Sequence, residues 1–328
     1  MAGILATASL NDFVKNAEVM WKEGYDRVPL VARGLYDVRT TSHKTSEYSQ
    51  VDGFTFAERK NEGAQYAIGN INQGYTLNLS QQRIGVMKAI TWEMRRYDRY
   101  REIQRVLNDL GRAASHRMEL DITHQFTFGM TAASYTNRNG ETVATTTADG
   151  QNIFDTDHTI TGGSGTYSNL ITTEFSRDGL EDAETQFTTF VDNSGNKVVP
   201  MPDTIVTTDH PALVNQVKQF LKSTQEPDTA NNATNVYSGK YKHLVLPYLA
   251  TDAQGARNSS IVNYWMLADV SHTDAILEIS EEPHLVSPTA GGNGEDFLTD
   301  DWSFKTSAAY DYGVLDYKWV VGSPGTTS

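Results

Sequence analysis

Two carboxylates flank a histidine in Asp155-Thr156-Asp157-His158, the best catalytic candidate in the chain, because either acid could orient the imidazole as a general base. A base needs something to act through, either a side-chain nucleophile or a metal-bound water. Nothing nearby in the sequence supplies one. The chain has no cysteine, which removes thiolate nucleophiles, disulfides and cysteine-ligated zinc together. It also lacks a GxGxxG, a glycine-lysine phosphate loop, an HExxH and a serine nucleophile elbow. A second acid-histidine pair, Asp209-His210, precedes Pro211 and reads as the cap of a helix. The eight histidines are scattered, so structural roles are expected for them, with no catalytic, cofactor or metal site. A hydrolase using Asp157 and His158 stays open as an alternative.

The elements around this candidate say more. No proline occurs between Pro29 and Pro200, so long helices and ladders are permitted there. Tyr100, Ile103, Leu107, Leu110, Ala114, Met118, Ile122 and Phe126 recur at steps of three and four, the stripe of one helical face. The other positions carry arginines, with Glu102/Arg105, Arg105/Asp109, Asp109/Arg112 and Arg117/Asp121 at pairing distance. A helix from Asp98 to Phe128 would be roughly 45 Å long. Gly111 inside it costs about 1 kcal/mol relative to alanine.

Ahead of the helix the period changes to two. Phe54 and Phe56, Tyr66 and Ile68, then Tyr75, Leu77 and Leu79 alternate with polar residues, punctuated by Gly53, Gly63, Gly69 and Gly74. Glu58 to Gly63 is a charged tip carrying Lys60. The spacing predicts a two-stranded hairpin projecting from the body. Such a hairpin is marginal in water unless another subunit or surface packs against it.

A length of 328 residues sets a prior of about two domains and allows a sizeable core. A net charge of −14 argues against a dedicated nucleic-acid binder. Charge is uneven, however: Arg95 to Arg117 holds seven arginines against three acids, read as a solvated face. No apolar run reaches membrane-spanning length and no secretion signal is visible, so a soluble cytoplasmic protein is expected.

Further along, Thr131 to Gly150 reads as loop with a ribbon, and Ser176 caps a helix carrying Leu180, Ala183, Phe187 and Phe190. Thr204 to Thr208 reads as a buried strand, followed by a helix with Leu213, Val217, Phe220 and Leu221. Lys242 to Leu246 and Ile261 to Leu267 are strand-like, and Trp302 to Trp319 suggests two adjoining strands. The fold class is α+β.

This order of parts resembles the major capsid protein of tailed bacteriophages, the Hong Kong ninety-seven fold. The resemblance rests on an N-terminal arm, an extended loop at about Thr45 to Leu79 and a spine helix at about 98–128. It continues through Asn152 to His158, Gly162-Gly163, Tyr167-Ser168-Asn169-Leu170, Pro202 to Val206 with its following helix, and Phe304-Lys305-Thr306 through Tyr312 to Asp316.

The resemblance implies an N-terminal arm over 1–40, the extended hairpin loop with flanking strands over 41–90, and a peripheral domain over 91–201. An axial domain over 202–298 follows, then C-terminal strands over 299–328 that return to the peripheral domain. It implies a non-enzymatic shell subunit of the virion, assembled in the host cytoplasm as pentamers and hexamers of itself. Scaffold, portal and decoration proteins would be partners, DNA would be packaged without specific recognition, and no membrane or cofactor is involved. Phe54, Phe56, Lys60, Tyr66, Ile68, Tyr75 and Leu77 would form the intersubunit loop. Some family members cross-link a loop lysine to a neighbour's asparagine. Lys60 sits at the tip, but neither the asparagine nor the assisting carboxylate is matched, so that activity does not carry over. An encapsulin-like cargo compartment is the alternative with the same fold, while the long helix argues against a tail-tube or decoration protein.

Overall fold

The computed structural model describes residues 7–52, 56–57, 59–63, 65–66, 68, 72–97, 100–161, 163, 165–225, 234–287 and 301–325. Among them the helices are α1 (Thr7–Tyr25), α2 (Trp92–Arg96), α3 (Tyr100–Phe128), α4 (Arg177–Thr189) and α5 (Pro211–Lys222). The strands are β1 (Asp37–Thr40), β2 (Thr45–Asp52), β3 (Asn72–Ser80), β4 (Gln82–Ile90), β5 (Ser134–Thr136), β6 (Thr142–Ala144), β7 (Thr204–Thr208), β8 (Lys242–Leu246), β9 (Trp265–Ala268), β10 (Ala275–Val286), β11 (Trp302–Val314) and β12 (Val320–Ser323).

Two four-stranded sheets organise the body, ordered β1-β10-β11-β4 and β12-β9-β7-β8. In the second sheet the period-two pattern is buried on both faces. Ile205, Trp265, Leu267 and Val321 join a core with α4 and α5, while Val206, Met266, Ala268 and Val320 join a core shared with α3 and the first sheet. Residues on either side of one strand thus feed two different cores. A third cluster joins α1 (Ala17, Met20, Trp21) to the first half of α3 and to Ile90 and Phe304.

Local chemistry explains most boundaries. Ser176 Oγ accepts from Gly179 N at 3.0 Å, capping α4 as expected. Pro211 occupies the first turn of α5, but the cap residue is His210, which makes no side-chain cap bond, so the capping role assigned to Asp209 is corrected. The second strand expected at Ile261 to Leu267 starts later, because Ser259–Ile261 forms a 3-10 turn. Asp98 lies outside the described residues, and α3 runs from Tyr100.

The segment limits at 202–298 and 299–328 cut across the sheets. β10 lies within the first segment yet pairs with β1 and β11 in the first sheet. The C-terminal segment divides, β11 pairing with β4 and β10 while β12 pairs with β9 in the other sheet. β10 itself was not read from sequence, since Glu281, Glu282 and Pro283 interrupt its apolar pattern. The structure absorbs them in register shifts between Ile279, Glu281 and His284.

Candidate functional site

His158 is fully buried, and both of its ring nitrogens are taken. Nδ1 lies 2.8 Å from Asp149 Oδ2, Nε2 lies 3.1 Å from Asn169 Oδ1, and the ring stacks on Tyr317 at 4.0 Å between centroids. The acids expected to orient it do otherwise: Asp157 is exposed, and Asp155 Oδ1 accepts from Thr156 N at 2.7 Å and Asp157 N at 3.3 Å. Asn169 is fixed in turn, accepting from Asp155 N at 2.9 Å and donating to the carbonyls of Ile153 and Val320 at 2.8 and 3.2 Å. Burial alone would raise the Asp149 carboxyl, but hydrogen bonds from His158 and Thr147 outweigh it and hold the group below the usual carboxylate range. The cluster ties three stretches of chain together and leaves no ring nitrogen for a substrate, which removes the basis of the hydrolase reading.

The hairpin forms as an antiparallel ladder of β2 with β3, but lower down than the sequence pattern places it. Thr45 pairs with Ser80 and Asp52 with Asn72, so the ladder stops before the tip residues. Phe54 lies outside the described residues. Phe56, Tyr66 and Ile68 are not in strands and are 67%, 76% and 92% exposed. Lys60 Nζ stands 4.4 Å from the centre of the Tyr66 ring. Tyr75 and Leu77 pack on their own chain instead: Tyr75 OH meets Thr159 Oγ1 at 2.7 Å, and Leu77 with buried Leu79 lies against Gly313, where a side chain would come within 3.2 Å of both. The outward apolar set is therefore Phe56, Tyr66 and Ile68.

On α3, Ile103, Leu107, Leu110, Ala114, Met118, Ile122 and Phe126 are buried, while Tyr100 opens the helix and its side chain is outside the described set. Arg101, Arg105 and Arg112 are exposed as expected, and Arg117 pairs with Asp121 at 2.7 Å. From Met118 onward the solvated face disappears. Glu119, Asp121, Thr123, His124, Gln125 and Thr127 are buried as well, with Tyr310 OH donating to Asp121 at 2.8 Å and His124 Nε2 2.8 Å from Thr251 Oγ1.

Glu119 is the liability of that buried end. Its Oε1 accepts from Ala32 N at 2.9 Å, whereas among the described residues Oε2 has no hydrogen-bond partner. Burial raises its carboxyl to about 7 against the partial relief of backbone N–H groups. Above the ordinary glutamate value of about 4.3, the folded chain keeps a proton that the unfolded chain releases. Stability therefore falls as pH rises towards 7 and stays lowered beyond it. Glu119→Gln removes this titration while keeping an acceptor for Ala32. At pH 8 it is expected to stabilise the unassembled subunit by about 1–3 kcal/mol, with little difference near pH 5. Denaturant titrations at both values check this, and equal stabilities at pH 8 would count against an ionised, unpaired Glu119.

Sequence reasoning missed Asp149 and Asn169 as the partners of His158. One usable signal existed. Asn137, Asp192 and Asp252 each accept two backbone N–H groups through Oδ1 in a turn closed by a glycine three residues on, with φ near +80° at Gly140, Gly195 and Gly255. Asp149-Gly150 is a variant in which the carboxylate also reaches His158. Among the described residues, no cluster of His, Cys, Asp or Glu is arranged to hold a metal ion, and no helix is long and apolar enough to cross a membrane.

A family model described as phage capsid protein matches residues 74–323. No curated protein matches the sequence. Similar solved structures include the capsid of cyanophage P-SCSP1u, with a TM-score of 0.51 at 11% identity over 90% of this chain and 87% of that one. The procapsid of bacteriophage JBD30 gives 0.48 at 13% identity over 97% and 76% of the two chains. A chain from Mycobacterium phage Ogopogo gives 0.45 at 11% identity over 90% and 92%. At these identities the cyanophage match is a likeness of fold.

Proposed function

Because the chain belongs to the phage capsid protein family, we propose that it forms pentamers and hexamers that close an icosahedral head around a DNA genome. It is a structural protein of the virion shell, and the finer assignments rest on its own geometry. The observation that carries them is the hairpin: a ladder that pairs as far as Asp52 and Asn72, beyond which Phe56, Tyr66 and Ile68 are 67%, 76% and 92% exposed. Three largely exposed apolar side chains near one tip are costly for a monomer and useful in a lattice, where a neighbouring copy buries them. Two different surfaces meet in such a contact, the tip of one copy and the body of the next. Head-to-tail contacts of this kind close into rings when the rotation permits.

The remaining roles follow from that arrangement. α1 serves as the N-terminal arm, β2–β3 as the extended loop, α3 with the first sheet as the peripheral domain, and the second sheet with α5 as the axial domain, to which α4 is reassigned from the 91–201 segment because it packs there. The subunit performs no chemistry. Scaffold, portal and decoration proteins are its partners, and exposed Arg101, Arg105 and Arg112 offer the packaged DNA a sequence-independent contact on a chain of net charge −14. Purified protein under assembly-permissive conditions, with scaffold supplied if required, is expected to sediment as large closed particles visible in micrographs. A stable monomer under those conditions would overturn the proposal.

A further inference from the structure

At its base the hairpin meets the body through carboxylates of the body, and further along β3 Tyr75 OH meets Thr159 Oγ1 at 2.7 Å. Glu278 of β10, only 2% exposed, accepts at Oε1 from Ser46 Oγ at 2.6 Å and Tyr48 OH at 3.0 Å, and at Oε2 from Gln81 Nε2 at 3.1 Å. Asp316, between β11 and β12, accepts from Gln50 Nε2 and from Lys318 Nζ, the latter at 2.7 Å. Asp311 Oδ2 accepts from Ser80 N at 2.6 Å. Every donor on the hairpin side of these bonds is neutral. The apolar part of the junction is Leu77 and buried Leu79 against Gly313.

The chemistry of such a junction differs from that of an ion pair. Seated, Glu278 is dehydrated and compensated by charge-assisted bonds from three neutral groups. Lifted, the carboxylate regains water, and Ser46, Tyr48 and Gln81 find water too, so neither side is left with a stranded charge. The desolvation recovered on lifting offsets much of what the hydrogen bonds contribute on seating. A junction balanced in this way fixes a direction without making it irreversible.

We propose that Glu278, supported by Asp316, is a positioning residue for the hairpin: it holds β2–β3 at the angle to the body from which the tip can reach a neighbouring copy. The proposal rests on the reading that the hairpin contacts a neighbour. It adds the residues that set that angle.

The chain has no cysteine, so spin labels at Arg59→Cys and Thr188→Cys report one distance between hairpin tip and body. In the otherwise unaltered, unassembled subunit a single distance population is expected. Glu278→Gln sets an amide N–H against donors and should move the seated-to-lifted ratio by roughly 10- to 100-fold. That shift should appear as a second distance population and as faster amide exchange in β2 and β3 with body exchange unchanged. Gln81→Glu with Glu278→Gln exchanges donor and acceptor and should restore the single distance. If Glu278→Gln compromises folding, Ser46→Ala with Tyr48→Phe removes two of the three donors to Glu278 and should move the same ratio in the same direction. One unchanged distance in the single and the donor-deleted variants, or no recovery in the exchange pair, overturns the positioning role. Particle formation scored in the same variants separates the two readings. Shifted distances with normal particles uphold the positioning role and remove the neighbour contact, whereas unshifted distances with failed assembly remove the positioning role alone.

Discussion

Gly111→Ala is expected to destabilise the subunit by about 1–3 kcal/mol, although alanine is the better helix former by about 1 kcal/mol. Propensity and packing point in opposite directions here, and distances decide between them. A Cβ on Gly111 would lie 2.0 Å from the carbonyl oxygen of Trp21 and 2.7 Å from the amide nitrogen of Tyr25. Both are backbone atoms of α1, so no side chain can turn aside. The contact is reciprocal, since a Cβ on Gly24 would lie 2.1 Å from the carbonyl oxygen of Asn108 on α3. The two helices cross with glycine against backbone on both sides, and an added methyl must push them apart along the whole contact. Ala17, Met20 and Trp21 would then lose their packing on Ile103, Leu107 and Leu110. Thermal unfolding should show the loss, and amide exchange should localise it to α1. A variant more stable than the parent would mean that propensity wins and that α1 is not held by this crossing.

Gly111 also shows how far the sequence can be read. Its cost to the helix is legible from the residue alone. Its purpose is not, because that depends on a second helix meeting it at backbone distance. The same division runs through the chain. The stripe from Ile103 to Phe126, the cap at Ser176 and the buried strand at Thr204 to Thr208 are local patterns, and the structure keeps them. What escapes is set by distant partners. Glu119, Asp121 and His124 lie off the apolar stripe, and nothing local buries them until Ala32, Tyr310 and Thr251 arrive from 87, 189 and 127 residues away. β10 hides behind Pro283 because a bulge is a property of two strands. His158 was legible as the notable histidine, but its carboxylate is across a turn at Asp149 rather than beside it in sequence. The hairpin's existence followed from alternation, while the place where its ladder stops did not. Alternation continues through Phe56, Tyr66 and Ile68, and water-exposed apolar residues keep the pattern of a strand without forming one.

Those tip residues carry the largest expected effect on assembly. Tyr66→Asp and Ile68→Asp should leave the free subunit within about 0.5 kcal/mol of the parent, because the two side chains are 76% and 92% exposed. In Tyr66→Asp the new carboxylate would also face Lys60, which now stands over the ring. Once a neighbour covers the tip, the same carboxylate must shed its water against an apolar surface, at a cost of several kcal/mol per contact. That weakens each contact by roughly 100-fold or more, and a closed shell repeats the contact at every subunit. Sedimentation and micrographs should therefore show small capsomers or free subunits in place of closed particles, while denaturation curves barely move. Leu79→Asp supplies the contrast. Leu79 is 3% exposed at the hairpin base, so a charge there should destabilise the free subunit itself by at least about 3 kcal/mol. Should the tip variants instead unfold the subunit while particles still form, Tyr66 and Ile68 would be packing within their own chain, and the hairpin would lose its place between copies.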